Sequence, residues 1–193
     1  MLKFFKGLFG KKDDGGLRYH APPAGTSVHD RNLGAVLQDF AQGDSQGLRL
    51  PGAELSEKGV AKLAALEGLR GLDLSEAKTD DTALAALRGP ALERLSLRGV
   101  GVTGACFVKI GALPRLRSLD LAGTKVVDMA VLALLKSCPN LEELDLSGTP
   151  ISDQAVEYLG QFKKLRRLVV KDCALDGAGL AMISHDKGLS IED

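Results

Sequence analysis

Asp73, Asp120 and Asp145 occupy one position in a recurring phrase, the fifth residue of "LRGLDL", "LRSLDL" and "LEELDL". Carboxylates at one place in a repeated unit line up in a row once the units stack. Asp120 and Asp145 fall on adjacent strands, where like charges repel unless something neutralises them. The chemistry open to such a row is recognition of complementary charge, or local pairing with a neighbouring arginine. The same outward register also carries Arg49, Arg94, Ser96, Arg98, Glu143, Arg167, Val169 and Lys171. Arg49, Asp73, Arg94, Arg98, Asp120, Glu143, Asp145, Arg167 and Lys171 are therefore the candidate contacts for a protein partner.

Bond-making chemistry has few candidates. Cys106, Cys138 and Cys173 match no zinc or redox spacing. They read as buried thiols in a reducing compartment. His20, His29 and His185 are divided between the two ends of the chain, and no Cys/His or Ser/His/Asp constellation follows from their spacing. The 23 glycines are spread through turns rather than gathered in a phosphate-binding loop, and "RGVGVTG" is a turn, not a dinucleotide fingerprint. The expectation is a non-catalytic chain without cofactor or metal.

The elements that position these residues come from an internal repeat. Units begin at Ser45, Leu69, Leu92, Leu116, Leu141 and Leu165, at intervals of 23 to 25 residues, and a truncated seventh begins at Leu189. Each opens with a strand phrase in which leucines such as Leu144 and Leu146 alternate with Glu143 and Asp145. A turn follows, with an aliphatic or β-branched plug: Leu55, Thr79, Val102, Val126, Ile151 or Leu175. Ser56, Asp80, Thr103, Ser152 and Asp176 come next and suit the cap of a short helix. Val127 breaks that rule, so Asp128 is expected to cap its helix instead. The helix then buries pairs such as Val156 with Leu159, or Leu132 with Leu135. One unit cannot bury its own apolar face, so the units must stack into an α/β solenoid, with parallel strands on the concave side and helices on the convex side.

This pattern resembles the leucine-rich repeat proteins. "SCPNLEELDLSGTPISD" is similar to the cysteine-containing repeats of F-box proteins and of the ribonuclease-inhibitor-like subclass, with Cys138 ahead of Pro139-Asn140 and Cys173 after the sixth strand. The resemblance implies a protein-interaction module or scaffold working through its concave face. A second implication is a substrate-recognition subunit or effector of a ubiquitin ligase. The units here are slightly short for that subclass, and residues 1–44 contain no F-box-like segment.

Ahead of the solenoid (45–193), residues 30–44 read as an N-terminal cap helix, with Asp30 as cap and Leu33, Val36, Leu37 and Phe40 on one face. Residues 13–29, rich in Gly and Pro, read as a flexible linker. Residues 1–12 are a basic amphipathic segment. Leu2, Phe4, Phe5, Leu8 and Phe9 cover one side of a helical wheel, Lys3 and Lys6 lie opposite, and Lys11 and Lys12 follow. Such a segment suits weak docking to an anionic membrane surface or to a partner. The 25 basic and 25 acidic residues cancel, which gives no reason to expect nucleic acid. No apolar run approaches the ~20 residues of a membrane-spanning helix. The expected state is a cytoplasmic monomer, peripheral at the inner membrane face if residues 1–12 dock there.

Overall fold

The computed structural model describes residues 16–89 and 91–193, so the basic amphipathic segment lies outside the described residues. Each strand phrase contributes three residues to a sheet: one leucine, or Ile191 in the last, between two outward-facing neighbours. The strands are β2 (Gly47–Arg49), β3 (Gly71–Asp73), β4 (Arg94–Ser96), β5 (Ser118–Asp120), β6 (Glu143–Asp145), β7 (Arg167–Val169) and β8 (Ser190–Glu192). An additional strand, β1 (Tyr19–His20), precedes them. All pair in parallel and in sequence order, forming one open sheet. The inward leucines stack in register as Leu48, Leu72, Leu95, Leu119, Leu144 and Leu168, each fully buried.

Helices return on the other side of the sheet. They are α1 (Leu33–Gln42), α2 (Glu57–Ala64), α3 (Asp81–Leu84), α4 (Cys106–Lys109), α5 (Asp128–Ser137), α6 (Gln154–Leu159) and α7 (Gly177–Lys187). α1 covers the first unit with Leu33, Val36 and Phe40, as a solenoid's exposed end requires. On α5 the buried face is rotated by one residue from the expected one. Val131 and Leu134 are fully buried, while Leu132 and Leu135 are only partly covered. Helices wider than strands leave the outer edge of that face uncovered.

The stretch expected as a linker is ordered by pairing in its described part. Tyr19 pairs with Gly47 and His20 with Leu48. Val28 is buried, and His29 forms a parallel bridge to Glu54. The Tyr19 ring crosses the two outward glycines of the neighbouring strands. A Cβ added at Gly47 would come within 2.5 Å of the ring, and one at Gly71 would collide with the Tyr19 hydroxyl. Glycine is required at both positions because the aromatic ring takes the space of their side chains.

Helix starts follow two different rules. Ser56, Asp80 and Asp176 accept backbone N–H bonds from their own helices, as expected. A second set of acids reaches across to the next unit. Asp30 does not cap α1, whose N-cap position is Asn32; it accepts from the N–H and hydroxyl of Ser56. Asp81 accepts from the Thr103 N–H (2.8 Å) and hydroxyl (2.9 Å) and from the N–H groups of Gly104 (3.1 Å) and Cys106 (3.0 Å). Asp128, expected to cap α5, instead accepts from the Ser152 N–H at 2.7 Å and hydroxyl at 2.8 Å. Asp153 accepts from the Asp176 N–H at 2.7 Å. These acids pin each next unit by its helix start. Among the described residues, no such acid links α2 to the start of α3, or α4 to the start of α5.

Burial alone would raise the Asp81 carboxyl, but the hydrogen bonds from Thr103 and Cys106 outweigh it and hold the group below the usual carboxylate range. Asp81→Ala leaves these donors without their acceptor. The expected loss is about 2–4 kcal/mol of unfolding free energy. Asp153→Ala, which removes one exposed bond, should cost no more than about 1 kcal/mol. Urea denaturation of both variants checks the ranking.

Candidate functional site

The sheet register assembles the sequence-derived contacts into rows on the concave face. One row runs Arg49, Asp73, Ser96, Asp120, Asp145, Val169 and Glu192. A second runs Gly47, Gly71, Arg94, Ser118, Glu143, Arg167 and Ser190. All nine concave-face candidates therefore belong to one continuous surface, with Arg98 and Lys171 two residues past the first row.

The carboxylates lie at the bottom of that surface. Asp120 is fully buried and Asp145 is 4% exposed. The neutraliser that their adjacency demands is Arg98, which donates from Nε to Asp120 at 2.9 Å and from a terminal nitrogen to Asp145 at 2.8 Å. Asp120 also accepts from the Ala122 N–H at 3.0 Å, and Asp145 from the Ser147 N–H and hydroxyl. Asp73 repeats this turn by accepting from the Ser75 N–H and hydroxyl. Asp73, Asp120 and Asp145 are structural floor, while Glu143 and Glu192 face outward beside the cations. Arg49 lies over the Tyr19 ring, 4.4 Å from its centroid. Arg94 approaches Glu143 at 3.7 Å, and Arg167 and Lys171 converge on Glu192 at 2.9 and 3.3 Å.

One guanidinium shared by two buried carboxylates leaves the trio with a net negative charge. Burial, together with the Asp145 charge, pushes the Asp120 carboxyl up to about 6 against the opposing pull of Arg98.

The thiols are not poised for chemistry. Burial and the neighbouring Asp81 carboxylate push Cys106 upward, and burial pushes Cys138 to about 11. Neither is a thiolate at neutral pH. Cys173 sits one repeat after Thr149 and donates across to the same Leu146 carbonyl, at 3.1 Å. Among the described residues no group of three or more His, Cys, Asp or Glu could hold a metal ion. No helix among them is long and apolar enough to cross a membrane.

A convex groove escaped the sequence reading. Phe107, Val108 and Gly111 face Met129, Leu132 and Lys136 across the gap between α4 and α5, around about 370 Å³. Val108 is 76% exposed and Met129 62%. A second recess lies between the starts of α2 and α3, beside Leu55, Glu57, Thr79 and Asp80. Its signal in the sequence is slight: α3 and α4 keep only four residues each, so their neighbours overhang them.

Residues 57–177 match the family described as FBD-associated F-box protein At5g56370, LRR repeats. The chain belongs to the leucine-rich repeat family. Among solved structures, an internalin (inlF) from Listeria monocytogenes superposes with a TM-score of 0.57 at 19% identity. The match covers 76% of this chain and 40% of that one, and it shows the same fold. The search of the curated proteins found no match. In this leucine-rich repeat chain, the rows of the concave face are the surface that the architecture leaves open along its whole length.

The Asp120 shift has a pH signature. Its folded value of about 6 lies above the ~3.9 of an unfolded aspartate. The native state therefore holds the proton more tightly. That contribution is fully present below about pH 4 and is lost as pH rises through about 6. Asp120→Asn, which cannot ionise, should gain on the wild type by up to about 3 kcal/mol between those limits. Urea melts of both proteins from pH 4 to 7 check this, and parallel curves would contradict it.

Proposed function

We propose that this leucine-rich repeat chain is a non-catalytic interaction module that holds a protein partner against its concave face. The observation carrying the reading is the placement of charge at the centre of the sheet: Asp120 and Asp145 are buried at its base, and Arg98 covers them, with Arg167 and Lys171 partly exposed further along the face. A partner presenting acidic side chains suits that surface. Arg–carboxylate pairs across an interface can be bidentate and set register. Asp73, Asp120, Glu143 and Asp145 then serve to orient the cations.

Residues 1–12 are proposed to dock the module to an anionic membrane surface. Half-burying Leu2, Phe4, Phe5, Leu8 and Phe9 gives about 4–6 kcal/mol. Lys3, Lys6, Lys11 and Lys12 add up to about 1 kcal/mol each near anionic lipid. Chain ordering opposes much of this, so the attachment is weak and reversible. A monomer in the cytoplasm is the state this reading assumes. A link to a ubiquitin ligase rests on the description of the matched family alone.

A photo-crosslinker at Lys171, on the concave face, should capture a partner that the same group at Lys109, on the convex side, does not. With that partner purified, Arg167→Glu with Lys171→Glu should weaken binding by at least about tenfold, roughly 1.4 kcal/mol. Lys109→Glu should leave it unchanged. Equal capture at both positions would count against the concave face.

A further inference from the structure

The chain's zero net charge conceals an uneven distribution between the two long edges of the solenoid. Where the helices begin, the edge carries Asp30, Asp81, Asp128 and Asp153. Where the helices end and the chain turns into the strands, the edge is basic. Backbone bonds fix its order: Arg18, Gln46, Arg70, Glu93, Arg117, Glu142 and Arg166 form one hydrogen-bonded file just ahead of the strands. Arg70 pairs with Glu93 and Arg117 with Glu142. Arg115, Lys163, Lys164 and Arg166 are all exposed and make no ion pair among the described residues. Arg115, Arg117 and Lys164 also line a recess of about 220 Å³ together with Asn140 and Glu93.

Helix dipoles favour cations near helix C-termini, but the effect fades within one turn. It does not account for Lys163, Lys164 and Arg166, which lie four to seven residues beyond the end of α6 at Leu159. The excess is also local, concentrated ahead of β5 and β7.

The exit of the N-terminal segment lies on this same edge. Arg18 stands directly before β1, and its carbonyl accepts from Gln46 and Gly47. The fifteen residues before Gly16 therefore join the solenoid on the basic edge. At ~4.8 Å per strand, Arg117 lies about 19 Å along it from Arg18, and Arg166 about 29 Å. Fifteen residues reach at most ~50 Å. A tether docked on a charged plane raises the local concentration of the edge cations there.

We infer that the edge bearing Arg115, Lys163, Lys164 and Arg166 is a second membrane-contact surface, which sets the solenoid on an anionic lipid surface with its acid-lined edge pointing away. The inference rests on the docking role proposed for residues 1–12. The lipid surface is favoured over an acidic protein because the segment joining this edge carries five large apolar side chains beside its lysines.

Co-sedimentation with phosphatidylcholine vesicles, with and without phosphatidylserine, tests it on the full-length chain. The variants are an edge triple (Arg115→Glu, Lys164→Glu, Arg166→Glu), a segment double (Phe5→Glu, Phe9→Glu) and Lys125→Glu on the opposite edge. Thermal melts by circular dichroism confirm that each is folded. Wild type should bind only the phosphatidylserine vesicles. The edge triple should bind at least about tenfold more weakly, and Lys125→Glu should match wild type. If the triple binds like wild type while the segment double is lost, the tether stands and the edge inference is overturned. If the double binds like wild type and the triple is lost, the edge stands and the tether reading falls. Absence of wild-type binding to phosphatidylserine vesicles, or binding only to polyglutamate, overturns the lipid assignment.

Discussion

A strand of three residues has nothing of its own to bury its leucine against. Leu144 is dry because Leu119 and Leu168 flank it in register, and the same holds along the column from Leu48 onward. Stacking is therefore obligatory, and it is obligatory in one register, since a slip by one residue would turn the leucines to solvent. Every other feature inherits that constraint. Asp120 must stand beside Asp145 whether or not the pair is electrostatically welcome, and Tyr19 must cross whatever side chains the first two full strands present.

The molecule answers each imposed neighbour locally. Arg98 spans two units to share its guanidinium between the two aspartates, and turn amides take the remaining oxygens. Glycines at 47 and 71 make room for the aromatic ring. The outcome at the centre of the concave surface is two tiers, with Asp120 and Asp145 locked into the framework and Arg98 over them. Since the lower tier cannot leave without exposing buried charge, the upper tier is held in place from beneath.

The repeat, the strand register and the cap helix were legible because period and alternation leave many consistent copies of one signal. The concave residues were legible for the same reason, since counting from any leucine assigns a face. What failed was where a single residue decided. Asp128 sits one position past a missing cap and reads as its substitute, yet its carboxylate binds Ser152 of the following unit. The helical face of α5 differs by one residue from the expected one, and Leu132 shows the difference. Tyr19 and His20 form a strand too short to carry any periodicity. The charged edges were hidden by cancellation: a composition sums over the molecule, whereas only the fold separates helix starts from helix ends.

The acids that reach from one helix start to the next do so in an interrupted series. They join the cap to the first unit, the second to the third, and the fourth through to the sixth, and both convex recesses fall at the interruptions. The sheet runs unbroken along the inside, and the acids divide the outer side into three stapled groups. Main-chain bonds still cross both interruptions, from the Lys78 N–H to the Ala53 carbonyl and from the Lys125 N–H to the Val102 carbonyl. Side chains thus reinforce the stack only within a group, while the backbone joins every unit to the next.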